Sequence, residues 1–247
     1  MRQMDNAVAL ALGGATIAYP GTGAALDNDA VPGFSERAGI FLSSAIPFGI
    51  SGLQNAQFQG LTRLSARDGF GLSIEHSGMD VYTEQQFRLV YGRRLGERLL
   101  LGGSAAILRV SAPEYGSATA GNFSLGVLAE PIPGLWLGAR ISNPVQLELA
   151  GASLPSMLRL GAAWKAGSTL ILLLETEKDL ERKAQVKAGI EYRPVEQLVL
   201  RAGIRSDPAR LVFGLGYQLK NGLEISSGAE WHTVLGLTPS AMLIWRR

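Results

Sequence analysis

The side chains that most often carry out catalysis are sparse in this sequence. Its two histidines, His76 and His232, lie far apart, and it contains no cysteine, which excludes disulfides and thiolate metal sites. No Gly-x-Ser-x-Gly nucleophile turn occurs, and Gly21-Thr22-Gly23 lacks the spacing of a phosphate-binding loop. Each histidine is therefore interpreted as an ordinary residue at a loop edge. We expect no catalytic, cofactor-binding or metal-binding residues and a protein that is not an enzyme.

Charged residues instead recur at every second position, most clearly between positions 183 and 193. One parity of this stretch is charged or polar apart from a glycine: Lys183, Gln185, Lys187, Gly189, Glu191 and Arg193. The other parity is apolar: Ala184, Val186, Ala188, Ile190 and Tyr192. Because successive side chains of a strand point to opposite faces, this period of two predicts strands with one charged and one apolar face. The pattern continues through positions 198–205 and 210–218.

Similar segments recur from position 35 to the end and predict an all-β fold of about fourteen antiparallel strands. The predicted strands cover positions 35–46, 56–66, 70–77, 83–94, 98–110, 120–130, 135–143, 156–166, 169–177, 183–193, 198–205, 210–218, 223–231 and 240–247. A soluble sandwich would bury the apolar face against a second sheet, whereas a transmembrane barrel would turn that face to lipid.

Three observations favour the up-and-down transmembrane barrel over the sandwich. The strand number is even, 15 of the 31 glycines lie inside predicted strands, where glycine permits bends and close approach to a plug, and the connections after even-numbered strands are short. One of these short connections contains Asn221-Gly222, a strong hairpin signal. Longer loops are expected at 78–82, 111–119, 144–155 and 232–239. We assign the short turns to the periplasm and the longer loops to the cell exterior of a bacterial outer membrane.

The N-terminal part of the chain differs from the rest. Residues 1–34 are rich in small residues, but positions 8–19 are too apolar to remain in water. We predict that residues 1–34 form a plug inside a barrel of residues 35–247, with Leu12, Gly13, Gly14 and Ala15 in the plug. No apolar run reaches the length of a membrane helix, and the chain is interpreted as a mature form without its signal peptide.

The two faces of the barrel imply two sets of residues. Inward charges are expected to line the lumen and to neutralise one another: Arg88, Arg140, Arg159, Lys187, Glu191, Arg201 and Glu224. Outward aromatic residues near strand ends are expected at the membrane interfaces: Tyr91, Trp164, Tyr192, Tyr217, Trp231 and Trp245. The formal net charge is only +2 and is not clustered, so we expect lipid but no nucleic acid as a partner.

Four segments carry a resemblance to a known family: 11–15 (ALGGA), 188–194 (AGIEYRP), 200–203 (LRAG) and 213–217 (FGLGY). With them the chain resembles the PorV/PorQ group of FadL-like outer-membrane barrels. Where that group has Asn-Pro-Ala before its first strand, this chain has Asp27-Asn28-Asp29-Ala30, and Arg246-Arg247 follow Trp245 at its end. The resemblance implies a fourteen-stranded barrel with an N-terminal segment inside.

The resemblance leaves two functions open. The first is an accessory role in type IX protein secretion or a related assembly, with other outer-membrane or secreted proteins as partners. The second, from the FadL branch, is transport of hydrophobic small molecules, which needs an apolar pocket next to the plug and usually a sideways gap in the wall. Because the loops are short and offer little surface for a binding cleft, the sequence favours the first.

The predicted orientation can be tested by placing a charge on the apolar face. We expect Ile190→Arg or Leu200→Arg to destabilise the barrel by about 2 to 4 kcal/mol if the residue faces the bilayer midplane. Folding yield and unfolding free energy in lipid vesicles measure the effect. Folding of both variants as efficiently as the wild type would contradict the orientation.

Overall fold

A computed structural model describes residues 4–21, 23, 26–34, 38–149 and 151–247. The strands of the described chain are β1 (Gly39–Ala45), β2 (Gln54–Arg63), β3 (Asp68–Met79), β4 (Tyr82–Arg94), β5 (Leu99–Ala112), β6 (Gly116–Ile132), β7 (Leu135–Ser142), β8 (Glu148–Leu149), β9 (Ala152–Ser153), β10 (Met157–Ala166), β11 (Leu170–Asp179), β12 (Gln185–Val195), β13 (Leu198–Arg205), β14 (Arg210–Gln218), β15 (Leu223–His232) and β16 (Gly236–Arg246).

Fourteen of these strands form one closed antiparallel barrel, so the predicted fold class is confirmed. Each barrel strand pairs with the barrel strands before and after it, and β1 pairs with β16 to close the ring. The small hairpin β8–β9 lies in the connection between β7 and β10 and forms a separate sheet. Closure gives the backbone N–H and C=O groups partners without leaving an exposed edge. Positions 35–37 of the predicted first strand lie outside the described residues.

The two faces of the wall differ as the alternating sequence predicts. In β12, Lys187 and Glu191 are buried, whereas Val186 and Ile190, each directly before one of them, are exposed. Leucine, isoleucine, valine and phenylalanine side chains are exposed around the whole outer face. Soluble proteins rarely expose apolar patches larger than a few hundred Å². The outer face therefore favours lipid over water as its surroundings.

The connections opposite the chain termini are shorter than predicted. We call the end of the barrel that holds Gly39 and Arg246 the termini end and the other the loop end. At the loop end only Asp80 and Val81 separate β3 from β4, and the predicted loops 111–119 and 232–239 shrink to 113–115 and 233–235. The strands continue to pair beyond the apolar band, because the hydrogen bonds between them join backbone groups and do not depend on the side chains. Long loops remain at 46–53 and 143–156.

The N-terminal segment, meaning the described residues from 4 to 34, lies against the inward face of the wall. It contains the helix α1 (Ala7–Ala11), whose first turn is capped by the Asn6 side chain accepting a hydrogen bond from the Ala9 amide. Every residue of α1 is buried, and the helix packs mainly on β14, β15 and β16. No helix in the described parts of the chain is both long and apolar enough to cross a membrane.

Inward-facing glycines allow this close packing. Gly69, Gly92, Gly102 and Gly126 are direct cross-strand partners in a row from β3 to β6. Shorter paired rows are Gly138–Gly161, Gly189–Gly203 and Gly214–Gly228. We call these glycines the glycine belt. A Cβ on Gly102 would lie 1.9 Å from the Asp29 carbonyl oxygen, so only glycine lets the segment's backbone approach there.

The glycine belt generates a prediction at Gly102. Gly102→Ala would collide with backbone, and overpacking of this kind costs about 1 to 3 kcal/mol. We expect a lower unfolding free energy in detergent and faster proteolysis of the N-terminal segment.

The matched control is Gly121→Ala in β6, where an added Cβ would meet nothing within 4 Å. This variant is expected to be neutral or slightly stabilising, because alanine reduces the freedom of the unfolded chain. Equal behaviour of the two variants would contradict the packing described here.

Candidate functional site

The seven charged residues that the sequence places inside the barrel are all buried in the structure. They are Arg88, Arg140, Arg159, Lys187, Glu191, Arg201 and Glu224. The structure joins them in three clusters, and each cluster also binds the N-terminal segment. A buried charge is stable only when it is paired and hydrogen-bonded, so these clusters decide how the segment is seated.

The first cluster surrounds Asp29. Its carboxylate oxygens lie 3.3 Å from the Arg88 guanidinium and 3.0 Å from Arg140 Nε, and the Ser124 hydroxyl donates a hydrogen bond of 2.6 Å. Burial alone would raise the pKa of the Asp29 carboxyl, but Arg140 and Arg88 outweigh it and lower that pKa below its ordinary value. The carboxylate therefore stays ionised and ties the N-terminal segment to β4, β6 and β7.

The second cluster is built on Glu175 of β11. It accepts hydrogen bonds from Arg159 Nε at 2.7 Å, from Lys187 Nζ at 3.1 Å and from the backbone amide of Ile17 at 2.9 Å. Arg159 and Lys187 also donate to the carbonyl oxygen of Gly14. The buried carbonyl of Gly14, in the turn that follows α1, is thus satisfied by wall cations.

The third cluster is centred on Glu191 of β12. Its carboxylate pairs with Arg201 at 2.8 Å and with Arg193 at 3.0 Å, and it accepts a hydrogen bond of 2.5 Å from the Tyr19 hydroxyl. Arg201 reaches on to Glu224 at 3.2 Å. The hydrogen bond to Glu191 holds Tyr19 of the N-terminal segment against the wall.

The structure also locates the predicted plug residues, inside the barrel, and the predicted interface aromatics, on its outer face. Leu12, Gly13, Gly14 and Ala15 follow α1, and Leu12 and Gly13 pack on the belt glycines Gly189 and Gly203. The six predicted interface aromatics all lie exposed on the outer face: Tyr91, Trp164, Tyr192, Tyr217, Trp231 and Trp245.

Sequence reasoning missed several residues of the N-terminal segment that hold it in place. Asn28 donates to the carbonyl oxygens of Ile17 and Val127, both at 2.9 Å, and Asp29 and Tyr19 act as described above. The sequence contained a signal for these residues in the run Asp27-Asn28-Asp29 between apolar Leu26 and Ala30. If the plug is buried, three consecutive polar side chains in it need hydrogen-bond partners on the wall.

The histidines take no part in the interior. His76 lies within β3 on the outer face, and His232 ends β15, where its Nδ1 accepts hydrogen bonds from the amides of Val234 and Leu235. Among the residues that the structure describes, no group of three His, Asp or Glu side chains is arranged to hold a metal ion.

Several cavities lie in and on the described parts of the barrel. A depression of about 560 Å³ lies on the outer wall over β1, β2, β15 and β16, and its lining is almost entirely apolar. Its floor is made of small outward residues that are cross-strand partners, namely Ala241, Ser44 and Ala56. Leu42, Phe58, Ile74, Ile225 and Leu243 form its rim. At the loop end of the interior lie two polar cavities of about 230 and 320 Å³.

Solved structures with the same fold include hydrocarbon channels and toluene transporters. The P. putida toluene transporter TodX superposes with a TM-score of 0.72 at 11% identity, over 97% of this chain and 95% of that chain. The Ralstonia pickettii toluene transporter TbuX gives 0.71 at 12%, over 98% and 97%. A Pseudomonas aeruginosa FadL homologue gives 0.69 at 13%, over 100% and 98%.

These identities establish a common fold. No protein-family model and no curated protein sequence matches the chain. The FadL-like part of the expected resemblance is supported at the level of the barrel, whereas the PorV/PorQ assignment is not confirmed.

The Asp29 cluster generates a stability prediction. Asp29→Asn would leave Arg88 and Arg140 buried without their carboxylate, and loss of one partner of a buried ion pair costs about 3 to 5 kcal/mol. Unfolding by guanidinium chloride in detergent, followed by tryptophan fluorescence, measures the loss.

The matched control is Asp179→Asn at the loop end, where the partner Arg182 is exposed and the pair is 3.7 Å apart. A surface pair of this kind contributes less than about 1 kcal/mol. A loss at Asp29 no greater than at Asp179 would show that the buried cluster does not hold the segment.

Proposed function

We propose that this protein is an outer-membrane channel for small hydrophobic molecules, the alternative that the FadL-like resemblance suggested. The observation that carries the proposal is the apolar depression of about 560 Å³ on the lipid-facing wall. Its volume falls within the usual range of about 300 to 1,000 Å³ for small-molecule sites. The shared fold with toluene transporters supports the same assignment.

The floor of the depression explains why it lies at this part of the wall. A small outward residue elsewhere, such as Ala162, lies between large cross-strand partners, Leu174 and Leu137. Ser44, Ala56 and Ala241 are instead neighbours of one another and leave space between the rows above and below them. A hydrophobic molecule placed there is surrounded by Leu42 and Phe58 and faces the lipid on its open side. We propose that such molecules enter or leave the lipid phase at this depression.

A straight route along the barrel axis is disfavoured for such molecules. The described N-terminal segment packs on the glycine belt, and the buried charge clusters would have to lose their partners to open an axial path. Desolvating charges costs several kcal/mol each, whereas a molecule in the outer depression contacts an almost entirely apolar lining. The proposed route is therefore sideways, with the predicted plug of residues 1–34 remaining in place.

The test fills the depression with a large side chain. Ala56→Trp is expected to reduce toluene uptake to the background level when the protein is expressed in the outer membrane of a host without a hydrocarbon channel. Ala162→Trp, an outward site on β10 on the other side of the barrel, is the control and should retain uptake. Absence of uptake by the wild type above background, or equal uptake by both variants, would contradict the proposed channel.

The filled interior favours a second candidate, the accessory role in type IX secretion or a related assembly. A barrel whose lumen is closed by buried ion pairs can serve as a membrane platform for another outer-membrane or secreted protein. Purification from native membranes, with mass spectrometry of co-eluting proteins, separates the two candidates. A stoichiometric protein partner supports the platform, and recovery of the barrel alone with a bound hydrophobic molecule supports the channel.

A further inference from the structure

We propose that a free edge of β6 at the loop end of the barrel is a docking site for another protein, which adds one extended strand to the wall there. The free edge means residues 116–122, the part of β6 that continues past the end of β7. The site is separate from the apolar depression and does not depend on the transport of hydrophobic molecules.

The two sides of β6 differ in how far they are paired. On the β5 side the ladder runs without interruption from Ala129 to Gly116. On the β7 side the pair nearest the loop end is Ser124 with Ser142. Residues 116–122 therefore belong to the barrel ladder on one side only.

The direction of the backbone groups shows which of them are left over. The Phe123 carbonyl accepts a hydrogen bond of 3.0 Å from the Asn143 amide, so the groups of Phe123 point to the β7 side. Since every second residue of an antiparallel strand points its groups the same way, those of Ser117, Thr119 and Gly121 do so too. None of these three forms a backbone hydrogen bond on that side with a described residue. Their N–H and C=O groups are available to an incoming strand.

A buried turn keeps the edge open. Asn143, directly after β7, is fully buried and has a φ of 51°. Its side chain donates to the Leu154 carbonyl at 2.7 Å and accepts from the Leu147 amide at 2.8 Å. The chain is thereby led away from β6, and Leu149 and Leu154 pack on the lumen side against Leu108 of β5. The end of pairing at this point is thus fixed by specific contacts.

The edge lacks the features that usually protect an unpaired strand. Residues 116–122 contain no charged side chain and no proline, and their register with β5 has no bulge. Ser117, Thr119 and Gly121 are exposed, and a Cβ on Gly121 would meet nothing within 4 Å. Gly121 also pairs with Ile107, an exposed residue of the outer apolar face, and unpaired backbone groups near lipid are unfavourable. A partner strand would remove this cost.

The chemistry of the edge specifies its occupant. A row of alternating N–H and C=O groups is matched by the backbone of an extended polypeptide, as in other cases of strand addition. The lumen-facing side chains of that strand would lie beside Ala118 and Ala120, which pack against Leu149, so small or apolar residues suit these positions. Tyr115, next to the edge, is 90% exposed and offers the partner an aromatic contact.

A second copy of the chain suits the edge less well than a different protein. Two copies in one membrane hold their β6 strands in the same direction, so the two edges cannot pair in the antiparallel way that the rest of the wall uses. We therefore assign the edge to an extended segment of a different protein that approaches from the loop end.

The experiment uses a short fluorescein-labelled peptide of alternating threonine and valine, with a lysine at each end to limit self-association. Fluorescence anisotropy measures its binding to the purified full-length barrel in detergent. Saturable binding is expected for the wild type. Thr119→Pro should weaken it about tenfold, because proline removes an N–H group from the edge and obstructs the incoming strand.

The matched control is Thr119→Val, which keeps the N–H group and the shape of the side chain. Its affinity should equal that of the wild type. Heat-modifiable mobility on gels verifies that both variants fold. A second peptide, N-methylated at its central amides, cannot donate backbone hydrogen bonds and should not bind the wild type. This comparison needs no variant of the barrel.

Binding that is weakened by Thr119→Pro and by N-methylation supports the proposal, whatever the outcome of the toluene experiment. No saturable binding, equal binding by the proline and valine variants, or binding of the N-methylated peptide would overturn it. Self-association of the wild type that Thr119→Pro abolishes, without binding of the peptide, would assign the edge to a second copy and overturn it as well.

Discussion

The close approach of the N-terminal backbone to the glycine belt is the contact on which the rest of the structure depends. A carbonyl such as that of Asp29 reaches the wall only because Gly102 has no side chain. At that distance the segment's polar groups cannot keep water as a partner, so the wall must supply donors and acceptors. Arg159 and Lys187 donate to Gly14, and Glu175 accepts from Ile17, as this constraint requires.

The charge clusters follow from the same geometry. Where glycines bring the segment to the wall, the inward positions beside them carry long charged side chains that reach around it. Three clusters, centred on Asp29, Glu175 and Glu191, each include a group from the segment and strands of the wall. Their net contribution to stability is limited by desolvation, but each one makes displacement of the segment costly.

The two faces of the wall differ in chemistry, and each holds a cavity of its own character. The outer depression has a floor of small residues, is rimmed by leucine, isoleucine and phenylalanine, and faces lipid. The interior cavity is polar, and the bases that line it are paired with carboxylates of the wall and of the N-terminal segment. Alternate residues of the same strands form the two faces, so the chemistry of one face is independent of that of the other.

The sequence by itself determined the strands and the character of their two faces, because a period of two is a local property that each segment carries alone. It also indicated that the glycines permit close packing inside. Only the tertiary structure decided which glycine meets which carbonyl, which charges pair, and how far strands such as β3 continue past the apolar band. Asp29 and Arg140 are 111 positions apart, and closure and register of the whole barrel bring them together. No local pattern encodes such a contact, since it depends on all fourteen strands at once.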